Sequence, residues 1–245
     1  MIYITGDTHG LRDVRKFNSR KFLEEINKPE NIVIVTGDFG VTWSNRALYQ
    51  SIEFYSQFKC KFLFVDGNNE NFDILNTFKV SEEYGGKVQK ISGNISHLLR
   101  GEIYEIEGKT FLAFGGATSY DSPERTSHTT RVEHESWWKE ETPTQDEFQH
   151  ALENLKKHGN KVDVILTHET TSTNIQRCFC WSIISPTTQM LDEIDKQTEY
   201  KMWYFGHHHF DVQVSPHERC IFEDFEDLSN LDNIPYTTTD EPTNN

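Results

Sequence analysis

Five short runs of consecutive apolar residues punctuate the chain: IYIT at 2–5, NIVIVT at 31–36, KFLFVD at 61–66, VDVILT at 162–167 and KMWYF at 201–205. Unbroken apolarity over so few positions, rich in β-branched and aromatic residues, predicts buried strands. Between the first two runs Val14, Phe17, Phe22 and Ile26 recur at helical spacing, and Leu48, Ile52 and Tyr55 do so between the next two, which predicts crossover helices. Asp7, Asp38 and Asn68 lie 31 and 30 positions apart. That is the length of one strand–helix–strand unit, so the sheet begins parallel. The pattern then changes. GEIYEIEGKTFLAFGG at 101–116 alternates on either side of Gly108-Lys109, as an antiparallel hairpin would. After Pro143, TQDEFQHALENLKKHG opens on a Thr144/Glu147 capping box, sets Phe148, Ala151, Leu152 and Leu155 on one face and stops at Gly159, predicting a helix. VQV (212–214) and CIFEDF (220–225) predict a closing hairpin, and residues 226–245, which carry no Lys or Arg, predict a flexible acidic tail.

Composition narrows the class. With 245 residues, 35% of them hydrophobic, the chain can bury one sizeable core, and a single domain over residues 1–225 is expected. The net charge of −15 disfavours duplex DNA as a partner but leaves a small anionic substrate open. No run approaches the roughly 20 apolar residues that span a bilayer, and MIYITGDTHG lacks the basic start and apolar core of a signal peptide, so a cytoplasmic protein without membrane contact is expected. Cys60, Cys178, Cys180 and Cys220 lack zinc-site spacing, and reduced thiols are expected.

The five apolar runs end alike, in Gly-Asp7-Thr-His9, Gly-Asp38, Gly-Asn68-Asn69, Thr-His168 and Gly-His207-His208-His209. Ligands of open α/β sheets sit beyond the carboxyl ends of the strands, and glycine permits a sharp exit there. These side chains are therefore expected to converge. Asp, Asn and His offer oxygen and nitrogen donors suited to Mn, Fe or Zn, and their number exceeds the needs of one ion. Taken singly, each residue has a plain structural account, Asp7 as a helix cap or turn residue and each histidine as a satisfied core group. Seven residues of fitting type, in order, outweigh that account.

In order and spacing, GDTHG, the GD at 37–38, GNNE at 67–70, His168 and GHHH at 206–209 resemble the five motifs of calcineurin-like metallophosphoesterases. The resemblance covers residues 1 to about 225, with residues 117–160 outside the motif core. It implies a two-sheet α-β-β-α sandwich of mixed sheets in the α/β class, around a dinuclear metal centre. Carried over by position, Asp7, His9 and His209 would hold one ion, Asn68, His168 and His207 the second, with Asp38 between them and manganese the favoured metal. His208 would face the other way. Two cations about 3.5–4 Å apart neutralise phosphoryl oxygens, align them for in-line attack and make hydroxide accessible near neutral pH.

Asn69 departs from the pattern. Relatives usually carry His there, taken to protonate or hydrogen-bond the leaving group, whereas an amide donates a hydrogen bond but no proton. Three accounts stay open: a phosphodiesterase whose leaving group needs little protonation, a His-to-Asn exchange that holds substrate unreacted, or a metal-bound ligand-binding protein without turnover. GDFGVTW lacks the downstream Asp-Arg-Gly of protein phosphatases, which makes that activity a lesser alternative beside a phosphomonoesterase. Glu70 reads equally as motif or as a solvated helix-start carboxylate. Residues 117–143 form the expected substrate loop, with Arg125, His128, Arg131 and Trp137 as candidates for a nucleotide-like ester, since arginine pairs with phosphate and indole stacks on bases. The plain account is a surface excursion whose arginines answer nearby acids and whose tryptophans cover the sheet. The sequence leaves the oligomeric state open.

Overall fold

The computed structural model describes residues 1–123, 126–179 and 184–238. In chain order its strands are β1 (Ile2–Thr5), β2 (Ile32–Thr36), β3 (Lys61–Val65), β4 (Val80–Glu83), β5 (Gly86–Lys90), β6 (Ile95–Leu98), β7 (Ile103–Ile106), β8 (Lys109–Phe114), β9 (Val164–Thr167), β10 (Met202–Phe205), β11 (Val212–Ser215), β12 (Glu218–Cys220) and β13 (Glu226–Asp227). They form two mixed sheets, ordered β13-β1-β2-β3-β6-β5-β4 and β11-β12-β10-β9-β8-β7. The α-helices are α1 (Asn45–Ser56), α2 (Phe72–Leu75), α3 (Gln145–Lys157), α4 (Ser172–Cys178) and α5 (Pro186–Gln197). No helix among the described residues is long and apolar enough to cross a membrane.

The central strands are apolar throughout because both of their faces are covered. Ile4, Ile34 and Leu63 meet Phe111, Val164 and Tyr204 between the sheets. Their sequence neighbours Tyr3, Val33 and Phe62 point outward onto Phe17, Phe22 and Tyr55. On the second sheet Leu112, Ile165 and Trp203 pack under Phe148, Leu191 and Ile194 of α3 and α5. The result is the expected α-β-β-α sandwich. Strands β1, β2 and β3 run parallel, as do β8, β9 and β10, so each sheet sends its ligand-bearing strand ends to one edge.

Local signals account for the firmest elements. Ser44 caps α1 by accepting from the Ala47 N–H, and the Thr144/Glu147 capping box opens α3 as expected. The 101–116 hairpin forms, with Glu107 and Gly108 both at positive φ in its turn.

Three expectations are corrected. The first crossover is not a continuous helix but a 3-10 turn at Arg15–Asn18 and a π turn at Phe22–Ile26, broken at Ser19 (ψ 149°). The buried Lys16 ammonium, bonded to the carbonyls of Gly6, Asp7 and Phe222, pulls this segment against the β1 exit. In the closing hairpin, β11 pairs with β12, but residues 221–225 leave the strand. Residues 226–238 are no loose tail: β13 pairs antiparallel with β1, Leu228 and Leu231 enter the inter-sheet core, and the Tyr236 hydroxyl donates to Asp163. Two leucines and a tyrosine anchor this acidic stretch, while residues 239–245 lie outside the described residues.

Candidate metal centre

All seven expected ligands stand at one end of the sandwich. Asp7, His9 and His209 form one group and Asp38, His168 and His207 another, with the ligand atoms of each group within 4.8 Å of one another. Asp38 lies between them: its Oδ2 is 3.2 Å from His9 Nε2 and its Oδ1 is 3.3 Å from His168 Nε2. On the first side His209 Nε2 is 3.1 Å from Asp7 Oδ2. On the second, Asn68 Oδ1 and His207 Nδ1 stand 3.1 and 3.2 Å from His168 Nε2. His208 turns away to Glu169, at 2.9 Å, and stacks on Phe179.

Glycine serves this assembly through space at two strand exits and through a sharp backbone departure at Gly37. A Cβ on Gly67 would sit 2.1 Å from Asp38 Oδ1, and one on Gly206 would sit 2.2 Å from Asp7 Oδ1. Neither glycine has positive φ. Among the strand-exit glycines Gly37 does, at 93°, and positive φ also falls on the ligands His9, Asp38, His207 and His209, at 44° to 65°. Side-chain-bearing residues rarely adopt that conformation, and it persists where surrounding contacts enforce it.

Neighbours fix how each ligand presents itself. The His9 Nδ1–H donates to Asp13 at 2.8 Å, leaving Nε2 toward Asp38. The His168 Nδ1–H donates to the Thr36 carbonyl at 2.9 Å, so Nε2 faces the cluster. Asn68 Nδ2 donates to Ser119 Oγ at 3.1 Å, which leaves Oδ1 toward the second group. Ser119 Oγ donates in turn to Glu141, itself buried. Asp13, Ser119 and Glu141 were missed in the sequence. Only Asp13, four positions after His9, carried a signal; Ser119 and Glu141 reach Asn68 from a distant loop.

Electrostatics tests whether ions fit. Burial alone would lower both imidazoles, but Asp38 and Asp7 raise His9 to about 9 and His168 to about 10. Burial raises the two aspartates, yet the surrounding imidazoles hold them below the usual carboxylate range. Buried anionic oxygens thus draw positive charge into this pocket, and oxygen and imidazole donors suit divalent ions of intermediate hardness. The residues fit a pair of such ions.

Asn69 donates from its backbone and its side chain to Asp38, each at 2.7 Å. Glu70 is not solvated: fully buried, it accepts from the Gly40 N–H and the Thr42 hydroxyl, and burial raises its carboxyl to about 8. It ties the β3 exit to the β2 exit.

The substrate-loop candidates do not join the cluster. Trp137 and Trp138 are buried, and the Trp138 indole N–H donates to Asp73. Arg131 pairs with Asp121 at 3.0 Å and approaches Glu141 at 3.7 Å. His128 is exposed and belongs to neither ligand group, and Arg125 lies outside the described residues. In this fold the Arg131 guanidinium answers a nearby acid and the Trp137 ring is covered, as the plain account describes.

A curated-protein search returned no match. Among solved structures, the phosphopantetheinyl hydrolase of Mycobacterium tuberculosis is similar at 16% identity and a TM-score of 0.42, over 90% of this chain and 87% of that one. The family model described as calcineurin-like phosphoesterase matches residues 1–211. Since that match spans most of its length, the chain belongs to the calcineurin-like phosphoesterase family.

Proposed function

We propose that this protein is a phosphodiesterase acting on nucleotides or short oligonucleotides with two divalent ions, manganese favoured. The observation that carries the reading is Asp38, whose two carboxylate oxygens face separate ligand groups. Asp7, His9 and His209 would hold one ion, Asn68, His168 and His207 the other, with Asp38 shared. Bound there, the ions would neutralise the phosphoryl oxygens and make hydroxide available near neutral pH.

The chain's own residues supply orientation. Asp13, the Thr36 carbonyl and Ser119 each occupy the hydrogen-bonding atom that is not needed for coordination, so the donor atoms are aimed before any ion arrives. Asn69 favours a diester over an alkyl monoester. Its amide can hydrogen-bond a leaving oxygen but cannot protonate it, and a missing general acid typically costs a factor of about 10² to 10⁴. Poor leaving groups suffer most from that loss.

The test is Mn²⁺-dependent cleavage of bis-p-nitrophenyl phosphate beside p-nitrophenyl phosphate. Faster diester turnover, reduced to background in a folded Asp38→Asn variant, is expected. A faster monoester rate would make the protein a phosphomonoesterase. Tight binding of both esters without turnover, converted to hydrolysis by Asn69→His, would make it a ligand-binding protein.

A further inference from the structure

A cavity of about 290 Å³ opens against the ligand cluster at His9 and Asn69. Its remaining wall comes from the residues after the first motif and from the start of α1, far in sequence from the 117–143 loop. Leu11, Trp43 and Ala47 supply apolar surface, and Arg12, Gln50 and Ser51 supply polar groups.

Three of these side chains have capacity that the fold does not use. Ser51 is fully buried, yet its Oγ has no hydrogen-bond partner among the described residues. A helical serine ordinarily bonds back to its own helix, and a buried polar atom left unpaired is uncommon enough to call for an explanation. Trp43 is 40% exposed although its indole is braced edge-on by the buried Trp138, with ring centroids 6.1 Å apart. Such an aromatic is fixed but uncovered. Arg12 makes no ion pair or side-chain hydrogen bond among the described residues, in a protein where 39 acidic residues face 24 basic ones. Its guanidinium is left free for a ligand.

A flat apolar platform, an unsatisfied hydroxyl, an amide and a guanidinium together suit one chemical class: a planar ring with hydrogen-bonding edges. The volume lies at the small end of ligand sites, which run from about 300 to 1,000 Å³, and so suits one ring system rather than a strand. We propose that this cavity is the base site, in which the nucleobase of the substrate stacks on Trp43 while Ser51, Gln50 and Arg12 address its polar edge. The assignment rests on the phosphodiesterase reading and names which part of the substrate goes where.

Calorimetric titration of the Mn²⁺-loaded protein with adenosine 5′-monophosphate, phenyl phosphate and inorganic phosphate tests it. The nucleotide is expected to bind at least tenfold more tightly than either other ligand. Trp43→Ala should lower the nucleotide affinity by about 5- to 160-fold, the range typical of base–aromatic stacking, and leave phosphate affinity unchanged. Ser51→Ala discards a hydroxyl that the fold does not satisfy, so its melting temperature should hold or rise while nucleotide affinity falls several-fold. Phosphate binding without a nucleotide advantage, equal affinity for phenyl phosphate, or undiminished nucleotide binding in both variants would overturn the base site alone. Failure of all three ligands to bind would likewise overturn the base site, whereas absence of Mn²⁺-dependent diester cleavage in the same preparation would overturn the phosphodiesterase reading.

Discussion

The 117–143 loop and the wall formed by Leu11, Arg12, Trp43 and Ser51 both carry arginine, tryptophan and serine, and the fold uses the arginine and tryptophan in opposite ways. In the loop Arg131 is committed to Asp121, the Trp138 indole to Asp73 and Ser119 to Asn68 and Glu141, although the buried Ser122 hydroxyl has no partner among the described residues. In the wall, Arg12, Trp43 and Ser51 lack partners for part of what they offer. Residue type says what a side chain can bind; its remaining partners say whether it is free to do so. Burial of a polar group without a partner is costly, and Ser51 differs from the unpaired Ser122 in standing at the wall of a cavity, where a ligand can supply the missing bond.

Substitutions can break this contrast. The largest effect is expected at Trp138, which is 1% exposed; removing it leaves a cavity and should cost about 3–5 kcal/mol of stability, measured by denaturant unfolding. Were the loop instead a docking surface, truncation there would weaken ligand binding and spare stability. Next comes Ser119→Ala, which frees the Asn68 amide to rotate. One of the two metal-binding steps should weaken by about 10- to 100-fold in a calorimetric Mn²⁺ titration while the other step and the melting temperature change little. A uniform change in both steps would detach the loop from the second ligand group.

The smallest effect serves as a control remote from both regions. Burial raises the Asp163 carboxyl, but Lys201, Thr110 and Tyr236 outweigh it and bring the group down to about 2. A carboxylate held below its ordinary value of about 3.9 adds stability above that pH and loses it as the pH falls toward 2. Asp163→Asn should therefore flatten the decline in stability between about pH 4 and pH 2, and leave ligand affinities alone. Equal acid sensitivity in both proteins would remove Asp163 from that account.

Much of the centre was legible because each ligand directly follows an apolar strand, so the strand pattern locates the chemistry. Asp7, Asp38, Asn68 and His168 needed no more than that. Ser119 and Glu141 were hidden since their connection to Asn68 exists only once the 117–143 loop folds back over β3. Helical spacing in the first crossover misled because it is blind to Lys16, whose bonds to backbone carbonyls override the local preference. The acidic run after Phe225 likewise outweighed Leu228, Leu231 and Tyr236 on the page, whereas in the fold those three residues decide its position.

The short strand β13 matters beyond its two residues. Lying against Tyr3 and Ile4, it takes the place at the rim of the first sheet that β1 would otherwise occupy. An uncovered IYIT segment would offer free amides and carbonyls to any other extended chain, the usual beginning of intermolecular aggregation. The same few hydrogen bonds thus act as a gatekeeper for the strand that delivers Asp7.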